Sequence, residues 1–215
     1  MIVDREKQAI EQGPNLDAVL NHIEFLRDAN ANIDQPYVLE LRSLCEGVIP
    51  SSLTFEPYDE SQLNGALMFA ETHGRLRRNV YITVAPSVLS PKSVRDSDII
   101  QLPFVFADAD QFGAVEQIKK NMAFQPDAFV RTGSKPFERG HFYWRLEAPV
   151  QRADLGKWRS VMQSIAKKHA CDPQVGNPSR VMRLGGTIAF PSKAKRARHY
   201  EIERTGFYKQ GHSYG

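Results

Sequence analysis

Residues 104–112 read Phe-Val-Phe-Ala-Asp-Ala-Asp-Gln-Phe, an apolar β-branched and aromatic run that ends in Asp108 and Asp110. Such a run predicts a largely buried strand over Leu102 to Ala107, with both carboxylates just past its end. Strand side chains alternate with a period of two, so Asp108 and Asp110 project from one face and repel each other unless a cation intervenes. Hard oxygen donors of this kind suit Mg²⁺ or Mn²⁺. Taken alone, Asp-x-Asp also closes strands with no further role. Two other uses are excluded. An EF-hand loop needs an oxygen ligand where Phe112 stands and a Glu where Lys119 stands. A haloacid-type phosphoaspartyl hydrolase usually has Thr or Val at the position of Phe112.

Outward from this strand the pattern alternates between helices and strands. Upstream, Asn79 to Val84 is a second strand, preceded by a helix from Glu60 to His73 with Gly74 as its stop. An amphipathic helix spans Asn15 to Asn30, with Pro14 ahead of it. Residues 85–98 form a polar loop rich in Pro and Ser. Downstream come a short helix over 114–122, a strand around Ala128 to Arg131, a hairpin loop over 132–140, a strand over 141–150 and a helix from Asp154 to His169 with Asp154 at its N-cap. The order gives an α+β or mixed α/β fold.

Two further stretches carry chemistry. In residues 131–146 (RTGSKPFERGHFYWRL), His141 opens an aromatic strand behind a loop bearing Arg131, Lys135 and Arg139. Alternation places His141 and Tyr143 on one face and Phe142 and Trp144, the expected core residues, on the other. A lone His at a strand start is more often structural, but small residues and basic groups beside it suit a phosphate. A relaxase-type His pair is absent, because Tyr143 occupies the second position. In residues 169–198, Asp172 begins an Asp-Pro turn or serves as an acidic ligand. Arg180 and Arg183 flank Val181-Met182, and Gly185-Gly186-Thr187 leads to Lys193, Lys195, Arg196 and Arg198. Guanidinium groups grip phosphate oxygens bidentately, and a Gly-Gly turn permits close backbone approach.

Composition bounds the class. The 215 residues suffice for one core, and two cysteines, Cys45 and Cys171, are too few for a zinc ribbon or a disulfide framework. There is no apolar run of membrane-spanning length and no signal-peptide core at the N-terminus, so a cytoplasmic, reducing setting is expected. The net charge of +3 conceals a polar chain: residues 1–130 carry 11 basic and 19 acidic side chains, residues 131–215 carry 17 and 6. A C-terminal portion at +11 suits a phosphate-rich partner.

The order of these features is more specific than any one of them: a strand into Asp-x-Asp, a loop into His-x-Tyr-Trp, then Asp and Arg-x-x-Arg-Leu-x-Gly-Thr with a Lys soon after. In this the sequence resembles the archaeo-eukaryotic primase superfamily, in particular the primase–polymerase domains of plasmids and phages, including the RepB-like type. The resemblance covers about residues 38–195. It implies an α+β primase–polymerase core with an RRM-like catalytic sheet and an additional N-terminal α/β part. It further implies that Asp108, Asp110 and Asp172 bind two divalent ions, Mg²⁺ or Mn²⁺, and that His141, Arg180, Arg183 and Lys193 contact the triphosphate of an NTP or dNTP. The implied partners are a single-stranded DNA template and primer, with a replicative helicase fused or in trans, and no membrane. Residues 1–37 would be an N-terminal helical part, 38–200 the catalytic domain and 201–215 a tail or linker to a further domain. The sequence departs from the family at Arg139-Gly140-His141, which replaces Ser-x-His, and at Gly185, which replaces a Pro. The family's following Asn is also missing, with Ala189 or Phe190 in its region. These departures bear on nucleotide selectivity more than on metal binding. The implied activity is template-directed nucleotidyl transfer that starts a primer, extends one, or both. The competing readings are a non-catalytic replication initiator that binds DNA and a metal-dependent nuclease.

Overall fold

The two strands flanking the polar loop enter different sheets, and the carboxylates end up between those sheets. The computed structural model describes residues 2–89, 93–121 and 125–210. Its elements begin with α1 (Ile2–Gln12), α2 (Leu16–Asp28), β1 (Leu39–Cys45), β2 (Val48–Phe55), α3 (Glu60–Arg75) and β3 (Asn79–Thr83). They continue with β4 (Gln101–Ala109), α4 (Ala114–Lys119), β5 (Ala128–Gly133), β6 (Arg139–Gln151) and α5 (Leu155–Lys168). The last are β7 (Val181–Arg183), β8 (Ile188–Ala189), α6 (Lys193–Arg196), β9 (Glu203–Arg204) and β10 (Gly206–Lys209). One antiparallel sheet has the order β2-β1-β3-β7, a second the order β10-β5-β6-β4, and β8 pairs with β9. The fold is α+β, and β4, α4, β5, β6 and α5 supply the expected RRM-like unit around the second sheet.

Local chemistry sets the helix boundaries, with two departures from the sequence reading. Asn15 caps α2 by accepting from the Ala18 amide at 3.1 Å, and Asp59 caps α3 by accepting from the Gln62 amide at 3.0 Å. However, α3 runs past Gly74, its expected stop, to Arg75. A Cβ at Gly74 would lie 2.8 Å from Pro14 Cγ, so this glycine lets α3 approach the start of α2. Asp154 precedes α5 but caps no backbone amide; its carboxylate holds Lys157 at 2.8 Å instead.

Around Phe142, Tyr143 and Trp144 the second sheet is buried on both faces. Phe142 and Trp144 are core residues as expected, and Phe142 stacks on Phe129 with ring centroids 4.6 Å apart. On the other face Tyr143 packs edge-on against His22 and Phe25 of α2. Burying a side chain such as Phe142 stabilises by roughly 2–3 kcal/mol. The edge strand β4 is sealed by α5: Trp158 Nε1 donates to the Phe104 carbonyl at 2.8 Å, and the Phe106 amide donates to Met162 Sδ at 3.3 Å.

Segments near both ends of the described residues pack onto the rest of the fold. Val19, Ile23 and Leu26 of α2 are fully buried, and α1 is tied to α6 and the segment beyond it by Glu6, which accepts from the Arg196 guanidinium and from the Ile202 amide at 2.9 Å. Residues 201–215 were expected to be a tail. They instead carry β9 and β10 as far as Lys209, and β10 extends the second sheet by pairing with β5, Phe207 opposite Val130. Residues 211–215 lie outside the described residues, as does Met122 at the end of the expected 114–122 helix. Among the described residues no helix is long and apolar enough to cross a membrane.

Candidate active site

The register between β4 and β6 sets Asp108 directly opposite His141. Paired residues on neighbouring strands share a face, and His141 Nε2 lies 3.6 Å from Asp108 Oδ1. The other ring nitrogen, Nδ1, accepts from the backbone N–H of Arg183 at 3.2 Å. That N–H belongs to β7, the edge of the first sheet, so a single imidazole joins the two sheets. With Nδ1 used as an acceptor, the proton of the neutral ring sits on Nε2, toward Asp108. Burial, followed by the charge of Arg183, holds His141 well below the usual imidazole range, so the ring is neutral near pH 7.

Asp172 reaches the same place from another direction. Its amide donates to the Asp108 carbonyl at 3.0 Å, while its carboxylate accepts from the Gln174 amide at 2.9 Å and lies 3.9 Å from Arg180. Asp172 therefore shapes the Asp-Pro turn and also stands beside Asp108. The Asp108 carboxyl is pushed up to about 7, first by burial and then by the charges of Asp110 and Asp172, against the pull of Arg180 and Lys195.

Asp110 faces two cations, Lys195 Nζ at 3.0 Å and Arg139 Nε at 3.5 Å. Arg139 was not among the predicted site residues, although it lies two residues before His141 on β6 and so shares its face. Its guanidinium is buried 4.1 Å over the Tyr200 ring and donates to the carbonyls of Lys135 and Phe137. The β5–β6 loop is fixed further by Glu203 of β9, which accepts from the Ser134 and Lys135 amides at 2.8 and 3.1 Å and from Ser134 Oγ at 2.6 Å.

Arg183 is held at the mouth of the site by Asn79 Oδ1 at 2.6 Å and the Tyr81 hydroxyl at 2.9 Å, both from β3. Asn79, Tyr81, Asp110, Arg139, Arg183 and Lys195 line a cavity of about 200 Å³, acidic at one wall and basic at the others. Lys193, the lysine picked out by the resemblance, is not among those lining residues. It lines a neighbouring groove with Cys45, Glu46 and Arg77, and two residues along the short α6 it is Lys195 that meets Asp110.

The Gly-Gly pair is also reassigned. Both glycines are buried, Gly186 against the start of α2 and Gly185 against Phe207 of β10 and His22 of α2. Gly186 has φ +85°, and a Cβ there would sit 2.5 Å from the Asn15 carbonyl oxygen. The Gly185 amide donates to His22 Nδ1 at 3.0 Å. Close backbone approach is indeed what the pair provides, but the neighbours are α2 and β10.

Whether divalent metal suits this donor set can be judged from the charges. Among the described residues no three His, Cys, Asp or Glu side chains are grouped as a ready metal cage. The oxygens of Asp110 and Asp172 are instead turned to Lys195, Arg139, Arg180 and a backbone amide. The donor chemistry fits nonetheless: burial first, and then repulsion from Asp110 and Asp172, lets Asp108 retain a proton to about 7, and a hard cation would relieve the repulsive part.

Comparison with known proteins bears on the fold. No family model and no curated protein matches the chain. Among solved structures, the AEP domain of the cyanophage S-2L primase-polymerase superposes with a TM-score of 0.61 at 21% identity, covering 94% of each chain. A crystal structure of the primase RepB' gives a TM-score of 0.57 at 12% identity, covering 89% of this chain and 56% of that one. The RepB' catalytic domain in complex with initiator DNA gives 0.54 at 14% identity, covering 92% and 88%. The chain has the fold of the AEP primase-polymerase domains.

Proposed function

We propose that this chain is a DNA primase-polymerase domain that catalyses metal-dependent, template-directed nucleotidyl transfer. The observation that carries the reading is the convergence of Asp110, Arg139, Arg183 and Lys195 on one cavity, with Asp108 two residues before Asp110 at the end of β4 and Asp172 bonded to the Asp108 backbone. Carboxylates facing a ring of cations suit a substrate that brings both metal and triphosphate. A protein that merely bound a polyanion would lose affinity by clustering carboxylates there.

Asp108, Asp110 and Asp172 would hold Mg²⁺ or Mn²⁺, which supplies Lewis acidity at the 3′-hydroxyl and charge compensation at the departing pyrophosphate. The neutral His141 would offer its Nε2–H to a phosphate oxygen, its orientation fixed by the Arg183 amide. Arg183, pre-positioned by Asn79 and Tyr81, would present its remaining N–H groups to the triphosphate. Arg139 and Lys195 would transfer their attraction from Asp110 to the incoming phosphates. The RepB' catalytic domain was solved in complex with initiator DNA, which supports DNA as a partner here as well.

The test is incorporation of labelled NTPs or dNTPs on primed and unprimed single-stranded templates with Mg²⁺ or Mn²⁺. The double variant Asp108→Ala, Asp110→Ala is expected to lose at least a hundredfold in rate while keeping its affinity for the template. Undiminished incorporation by that variant refutes the assignment, and turnover of DNA without any triphosphate requirement would favour a nuclease.

A further inference from the structure

Phe112 follows Asp110 by two residues, in the turn that leads from β4 to α4, and its ring is 84% exposed. A single exposed apolar side chain is ordinary on a protein surface. This one is the open end of a row. Phe112 meets Phe137 edge-on, with centroids 5.8 Å apart and planes at 89°, and Phe137 meets Tyr200 edge-on at 6.1 Å and 75°. At the buried end, the Tyr200 ring carries Arg139 at 4.1 Å, Lys195 at 5.2 Å and Arg198 at 5.3 Å. The row thus starts in solvent, two residues along the chain from Asp110, and ends among three cations.

The middle ring is held rigidly. Phe137 belongs to the β5–β6 loop that Glu203 fastens through Ser134 and Lys135, and its own carbonyl accepts from Arg139 at 3.1 Å. A braced aromatic face needs no ordering when a flat ligand arrives, which is the advantage of preorganisation. Rings beside cations at the edge of a carboxylate site match one ligand chemistry: unpaired bases that stack, on a backbone whose phosphates the cations attract.

We propose that Phe112, braced by Phe137, is a stacking platform for a base of single-stranded DNA at the mouth of the Asp108–Asp110 site. The inference rests on the proposed function and specifies where its strand would run. The Phe112 side chain carries no charge. Its share of binding is therefore insensitive to salt, whereas the cationic share is salt-dependent.

The test measures binding of a fluorescein-labelled single-stranded oligonucleotide by anisotropy across a salt series, for wild type, Phe112→Ala and Phe112→Trp. Phe112→Ala is expected to bind about tenfold more weakly with an unchanged salt slope. Phe112→Trp should restore affinity, and its emission should be quenched by the oligonucleotide, since Trp144 and Trp158 are buried. Unchanged affinity in Phe112→Ala, together with normal nucleotide incorporation, would overturn this inference and leave the proposed function standing. A loss confined to the KM for nucleoside triphosphate would likewise overturn it, placing the ring against the incoming nucleotide. Failure of the wild-type protein to bind the oligonucleotide would overturn the proposed function and this inference together.

Discussion

The Lys195 ammonium lies 3.0 Å from the Asp110 carboxylate, an ion pair spanning 85 residues of chain that places an internal cation where the carboxylate would meet a metal. Both partners are over one-third exposed, so the pair is worth at most about 1 kcal/mol. Replacing Lys195 by Met is expected to tighten Mn²⁺ binding roughly fivefold, as measured by calorimetry without nucleotide. Equal or weaker binding in the variant would show that Lys195 does not compete with the metal.

His22 makes a pH-dependent contribution to stability. It is fully buried, stacks on Phe207 at 4.7 Å and accepts from Gly185, while Nε2 has no partner among the described residues. Burial pushes its imidazole down to about 3. Between that value and the ordinary 6.5 the unfolded chain binds a proton that the native state refuses. The contribution is therefore complete above pH 6.5 and declines as pH falls toward 3. His22→Asn, which keeps an acceptor for Gly185, should be less stable than wild type at pH 7.5. Urea melts at pH 5 should show that gap reduced by about 2 kcal/mol. A gap that does not change with pH would contradict a neutral, buried His22.

Gly186 and Gly156 offer a paired test of where glycine is required. Alanine at Gly186 meets a φ of +85° and the backbone of α2, and is expected to cost about 3 kcal/mol. Alanine at Gly156, in the first turn of α5 with open space around its Cβ position, should be neutral or stabilise by up to about 1 kcal/mol. Thermal melts of the two single variants decide it. Equal effects would mean that the Gly186 backbone does not clamp the start of α2.

What the sequence revealed follows from how strongly each element is patterned. The run into Asp108 and Asp110, the alternation through His141 to Trp144 and the periodic stripe of α5 were legible because buried elements must repeat their apolar side chains. The hairpin of β1 and β2 was not, since β2 is an edge strand whose first residues, including Ile49 and Pro50, face solvent and carry no alternation. The strands β9 and β10 are too short to show a period at all. At the site, position alone was informative for Asp108, Asp110, His141 and Asp172, which the fold brings together. For Lys193 the structure places the side chain in a neighbouring groove, and choosing between two lysines two residues apart requires the orientation of α6. Arg139 was available from alternation, but its basic loop made it look like one solvated cation among several.

The bond from the Arg183 amide to His141 joins strands of two separate sheets across 42 residues, and that from Gly185 to His22 spans 163. Contacts so distant along the chain pay their loop-closure entropy before they return any stability, so they form late. The pocket consequently has no local precursor: neither sheet alone positions both the imidazole and the arginine. Under the proposed function, specific activity would then count the molecules in which both sheets are in place.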